Sequence, residues 1–94
     1  MSLKQIQSLV RNGLYYLTEH ALNEAGVDGF DIYDVEHGIL TGRMRRTWPR
    51  ESKCEVVGVS LDGDRIGVVC RVTETNKVRV ITVYKDEPKG ARGG

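Results

Sequence analysis

Cysteine pairs at metal-binding spacing, long apolar runs and nucleotide-cradling glycine loops are all missing from this chain of 94 residues, and each absence removes a class of function. The two cysteines, Cys54 and Cys70, are too few for a disulfide framework and form no Cys-x-x-Cys pair. Both lie in strand-like segments, where a thiol serves as a small buried apolar group, so reduced cysteines are expected. Their relation depends on the loop between them. A two-residue turn at Asp62-Gly63 puts them on opposite faces, whereas a three-residue loop centred on Gly63 sets them diagonally on one face. No apolar run approaches the ~20 residues that cross a bilayer, and the start lacks the charged-then-apolar layout of a signal peptide. A cytoplasmic protein with no membrane contact is expected. No zinc-ligand set, phosphate-binding glycine loop or nucleophile elbow occurs, so neither a metal nor a cofactor is called for. There is no internal repeat.

What is present suits one soluble domain. A hydrophobic share of 39% and a charged share of 29% are ordinary for a globular chain. A chain of this length buries about 60–65% of its unfolded surface, enough for a single modest core. Residues 1–87 are expected to form that domain, and 88–94 a tail of small and basic residues. The net charge of +1 conceals an asymmetry. Residues 1–42 carry only Lys4 and Arg11 against six acidic side chains, a charge of −4, while 43–94 carry +5. Folded side by side, the two parts give a positive end that suits an anionic ligand, or simply a solvated surface of mixed charge.

Hydrophobic period divides the chain at residue 43. Leu3, Ile6, Leu9 and Val10 follow helical spacing, which predicts a helix over 3–12 with Ser2 as cap and Gly13 as stop. Residues 14–17 are apolar, too short for a helix and rich in tyrosine, hence extended. Thr18 caps a second helix that ends near Gly29. Asp31 opens a third, with Asp34 in its first turn and Gly42 after its end. Beyond this the period falls to two. Segments 44–48, 54–60, 66–72 and 78–84 read as strands, with Asp62-Gly63 and Asn76-Lys77 as turns. The expected fold is α+β: N-terminal helices packed on one face of a C-terminal antiparallel β-meander.

Thr18-Glu19-His20-Ala21, Asp28-Gly29-Phe30, Ile39-Leu40-Thr41-Gly42, Trp48-Pro49 and the strand Val78-Arg79-Val80-Ile81-Thr82-Val83-Tyr84 carry a resemblance over roughly residues 6–86. In this order and spacing they resemble an uncharacterised prokaryotic Thr-x-His-Ala domain family that is grouped with RelE-like toxins. The resemblance implies a RelE-like α+β architecture, a metal-independent endoribonuclease acting on messenger RNA, and a zinc-finger antitoxin as protein partner. The chain departs from the family's pattern at three positions: Glu24 and Asp28 stand where arginines are usual, and Gly67 where a histidine is common. Each change removes a group that a phosphodiester-cleaving site can use.

Metal-free cleavage of RNA needs a base for the ribose 2′-hydroxyl, cations for the phosphorane and an acid for the leaving oxygen. His20, which titrates near neutrality in its unperturbed state, is the candidate base or acid, or else hydrogen-bonds a neighbouring loop. His37, in mid-helix, is expected to be solvated. Arg43, Arg45, Arg46, Trp48, Arg50 and Lys53 form the densest basic stretch and include the only tryptophan, a combination that binds phosphates and stacks on unpaired bases. The alternative is a charged edge strand that resists aggregation, with Trp48 folded onto the core. Strict alternation puts Thr82 and Tyr84 on one face, with Arg79, Ile81 and Val83 on the other. Tyr84 then serves as acid or stacking platform, or as a packed strand tyrosine. Two other functions compete with the ribonuclease: a non-catalytic protein-interaction domain of the same fold and, from the Arg92-Gly93-Gly94 ending, a ubiquitin-like modifier.

Overall fold

The computed structural model describes residues 1–87, so the expected tail and its glycine ending lie outside the described residues. Helices α1 (Leu3–Arg11), α2 (Glu19–Val27) and α3 (Ile32–Leu40) are joined by the short strand β1 (Tyr15–Leu17), which lies between α1 and α2. Strands β2 (Arg43–Trp48), β3 (Lys53–Val59), β4 (Arg65–Val72) and β5 (Val78–Lys85) follow, with one 3-10 turn, Pro49–Glu51, between β2 and β3. Local chemistry explains the helix starts. Ser2, Thr18 and Asp31 each accept a backbone N–H three residues on, at 3.0–3.1 Å, and Asp34 returns a bond to the Asp31 amide. Asp34 also accepts from the Leu61 amide at 3.1 Å, tying the start of α3 to the β3–β4 loop.

The sheet has five strands in the order β1-β5-β4-β3-β2. It is mixed rather than antiparallel, because β1 joins the meander at its far side and runs parallel to β5. The apolar run at 14–17 is thus a sheet edge and not a free extended connector. Buried Ile6, Val10, Ala21, Ala25, Val35 and Ile39 from the helices form one core with Cys54, Val56, Ile66, Val68, Cys70, Val78, Val80 and Val83. These strand residues share one face of the sheet.

Both long hairpins use the same device. Ser60 pairs with Asp64 around Leu61-Asp62-Gly63, and Thr73 with Lys77 around Glu74-Thr75-Asn76. The third loop residue, Gly63 or Asn76, has positive φ, as a three-residue hairpin requires. The three-residue loop sets Cys54 directly opposite Cys70, not diagonally, and both side chains are fully buried. Their hydrogen bond and burial push the Cys70 thiol up, the same hydrogen bond draws the Cys54 thiol down, and complete burial withholds both sulfurs from reagents. Both thiols should therefore resist alkylation in the folded protein, and protein purified without reductant should show no intramolecular disulfide by mass. An oxidised pair would contradict this.

A bulge between Val69 and Cys70 on one strand and Val80 and Thr82 on the other leaves Ile81 unpaired. The extra residue resets the alternation, so Arg79, Thr82 and Tyr84 all lie on the face turned away from the core. Strict alternation had placed Arg79 on the opposite face. A second bulge, at Arg45, does the same for β2: Met44 and the exposed Thr47 lie on the helix side of the sheet, while Arg43, Arg46 and Trp48 face outward.

Candidate functional site

The outward face of the sheet collects the cations. On β2, Trp48 is half-buried, lies outside the apolar core, and is flanked by the Arg46 guanidinium at 5.5 Å and the Lys53 ammonium at 5.3 Å from its ring centroid. Such pairs keep the indole on the charged face and hold both cations beside it. Arg43 and Arg50 are exposed. On the opposite, helix-covered side a cleft of about 570 Å³ opens between the start of α1 and the β2–β3 turn, lined by Met1, Gln5, Thr47, Pro49, Ser52, Lys53 and Val72.

Arg45 is placed differently from its neighbours. Its Nε donates to Glu55 at 2.7 Å and its Nη1 to Asp86 at 3.2 Å, while Nη2 touches Glu55, Asp86 and the Tyr84 hydroxyl. Arg65 closes the network through Asp86 at 2.8 Å. Tyr84 donates to Glu55 at 2.5 Å, and its ring lies over Gly67, where a Cβ would overlap Cζ of the ring. Gly67 thus makes room for Tyr84. Burial pushes the Glu55 carboxyl up, but the Tyr84 hydroxyl and the Arg45 guanidinium outweigh it and hold the group below its ordinary range. Asp86 is likewise lowered, with Arg65 and Arg45 overcoming burial. The stability these two carboxylates supply is present above the ordinary carboxylate value, about 4, and is lost as pH falls below it.

Tyr84 shifts the other way, pushed up to about 12 by burial and then by its bond to Glu55. Its neutral form is favoured by folding, so that contribution is complete below about pH 10, the unfolded value, and disappears as pH rises through the folded value. A spectrophotometric titration should show the last of the four tyrosines ionising near pH 12, and Tyr84→Phe should remove that step. Its persistence in the variant would assign the shift elsewhere.

His20 stands on α2, exposed, with Nε2 at 3.1 Å from Oε2 of Glu24. The other oxygen of Glu24 accepts from the Val83 amide at 3.1 Å, and Asp28 accepts from the Lys85 amide at 3.0 Å. Beyond Val80, β5 keeps β4 on one side but has no strand on its β1 side, and α2 takes that place. Carboxylates four residues apart on a helix stand about 6 Å apart, close to the spacing of amides two residues apart along a strand. Glu24 and Asp28 therefore satisfy the open edge of β5, a role arginines would not fill. Protonated at Nε2, His20 donates to Glu24 and leaves Nδ1 free to accept. No hydrogen bond or ion pair joins His20 to Tyr84 among the described residues. His37 is not solvated as expected, since its Nδ1 lies 2.8 Å from the Val59 carbonyl oxygen at the end of β3.

Residues 17–85 match the sequence profile of a family described as Domain of unknown function (DUF4258). The chain belongs to that family. The match begins one residue before Thr18 and ends one after Tyr84, so the DUF4258 region contains α2, α3 and the four meander strands, with only the last residue of β1 and none of α1. Neither the search of curated proteins nor that of solved structures found a match. Among the described residues no cluster of His, Cys, Asp or Glu has the composition of a metal site, and no helix is long and apolar enough to cross a membrane.

Sequence reading missed three residues of this face. Arg71 on β4, Arg79 on β5 and Tyr16 on β1 lie at the same level as Lys53 and Trp48. The lengths of the two three-residue loops are the signal that aligns 53 with 71 and 71 with 79.

Proposed function

We propose that this domain is a RelE-like, toxin-type endoribonuclease that holds single-stranded messenger RNA against the outward face of its sheet and cleaves it without a metal. The observation that carries the reading is Trp48, kept on the charged face between Arg46 and Lys53 instead of in the core. An indole beside two cations provides a stacking surface for an unpaired base next to charge for its phosphates. Arg43 and Arg50 extend that charge. Arg45 contributes indirectly, by holding Glu55 and Tyr84 in place.

Chemistry falls to His20. Its bond to Glu24, itself anchored on the Val83 amide, orients the imidazole and fixes which nitrogen is free, the arrangement of a base and its orienting carboxylate. Nδ1 then takes the proton of a ribose 2′-hydroxyl as that oxygen attacks the adjacent phosphorus, guanidinium groups stabilise the phosphorane, and the bond to the 5′-oxygen breaks as that oxygen takes a proton from solvent, leaving a 2′,3′-cyclic phosphate. Tyr84, with its hydroxyl committed to Glu55 and its pKa raised, is weak as the leaving-group acid and is better placed as a positioning residue. A zinc-finger antitoxin covering the basic face would be the natural restraint on such an enzyme.

A second reading, a non-catalytic interaction domain of the same fold, is favoured by one observation: Glu24 already serves the β5 edge, and His20 contacts nothing on the cationic face. Incubation of a mixed messenger RNA pool with the purified domain in excess chelator separates the two. Cleavage above buffer is expected. Its absence would replace the enzyme by the non-catalytic interaction domain.

A further inference from the structure

Register aligns five outward side chains in one line across the sheet. Trp48 pairs with Lys53, Lys53 with Arg71, Arg71 with Arg79, and Arg79 with Tyr16. Three cations thus occupy directly opposed positions on neighbouring strands, an arrangement that is destabilising by itself. No carboxylate lies within ion-pair distance of any of them among the described residues. The nearest acid on this face in sequence, Glu55, is bound to Arg45 and Tyr84. Arg71 adds a second and independent sign. Its Nε is shielded from solvent and has no hydrogen-bond partner among the described residues. A shielded guanidinium N–H without an acceptor is costly, and a bound anion would satisfy it.

We propose that this row, Trp48-Lys53-Arg71-Arg79-Tyr16, is the track of the RNA backbone, which crosses the strands instead of following them. The inference rests on the RNA-binding reading above and specifies where on that surface the ligand lies and in what form. The row spans four strand spacings, ~19 Å, with cations in the middle and an aromatic ring at each end. Its centre takes consecutive phosphates, and Arg71 is the member whose shielded Nε–H lacks an acceptor among the described residues. Tyr16 and Trp48 stack the bases that leave the backbone at either side. Stacking needs unpaired bases, so the row selects a single strand over a duplex. The Arg45-Glu55-Tyr84-Asp86-Arg65 network, which begins with Glu55 one row further along the sheet, is electrostatically closed and bounds the track on that side.

Trp48 is the only tryptophan, so its fluorescence reports binding at the row itself. The test titrates an RNA 10-mer and its duplex form against wild type, Arg71→Gln, Arg79→Thr and, as an off-row control, Lys77→Ala. Single-stranded RNA should quench wild type, with the duplex weaker. Each row variant should bind roughly fivefold less tightly at 0.1 M salt and flatten the salt slope by about 0.7, as expected for one lost contact to a single strand. Melting temperatures should hold or rise in both variants, because opposed like charges have been removed; a merely structural pair of arginines would lower them. Wild-type binding that the row variants leave unchanged, or a loss that only tracks unfolding, overturns the row and leaves the RNA-binding reading standing. Wild type that binds no RNA overturns both.

Discussion

Gly58→Ala should cost the fold about 3 kcal/mol or more, the upper range for forcing an atom into a filled interior. A Cβ on Gly58 would overlap the carbonyl oxygen of Gly38 and stand 2.8 Å from Oγ1 of Thr41, so backbone must move against backbone. The displaced contact is where α3 meets β3. Two bonds fasten it there, the Val59 amide donating to Thr41 Oγ1 at 3.1 Å and His37 Nδ1 meeting the Val59 carbonyl at 2.8 Å, while Thr41 Oγ1 donates back to the His37 carbonyl at 2.8 Å and braces the helix end. A shift that admits the methyl group breaks them together. Gly26→Ala is the control, since nothing lies within 4 Å of a Cβ at that helical position, and it should be neutral or stabilising by up to about 1 kcal/mol. Urea midpoints decide the matter. A loss below 1 kcal/mol for Gly58→Ala would mean that the helix can ride up on the sheet without consequence.

His20→Ala should reduce RNA cleavage by about 10²–10⁴-fold, the usual contribution of a positioned acid or base. Its melting temperature should hardly change, because an exposed pair four residues apart on a helix contributes only a few tenths of a kcal/mol. Glu24 separates orientation from support. Glu24→Gln keeps an acceptor for the Val83 amide but no longer offers His20 a charged partner, so activity should fall while stability holds. Glu24→Ala also removes the acceptor from the β5 edge and should cost about 1–3 kcal/mol. A His20→Ala protein that cleaves as wild type does, or loses activity only through unfolding, would remove the imidazole from the mechanism.

Much of this molecule is written locally. The caps at Ser2, Thr18 and Asp31, the change of period near residue 43 and the turn residues Gly63 and Asn76 act within windows of a few residues, where propensity and capping chemistry suffice to place three helices and four strands. The basic stretch and the paired cysteines' burial were legible on the same grounds. Other features were not. That β1 enters the sheet, and parallel to β5, depends on where three intervening strands leave their free edge. The bulges at Arg45 and Ile81, which decide what faces the open surface, follow from how neighbouring strands fit and not from the strand's own pattern. Glu24 and Asp28 look like lost cations in one dimension and become edge caps only when α2 lies beside residues 57 to 59 positions away. Composition and period thus determined an α+β domain with a basic second half. Which side chains share a face, and so the cationic row itself, was decided by register between distant strands, because the short range of hydrogen bonds and charges makes such neighbours invisible until the chain has folded.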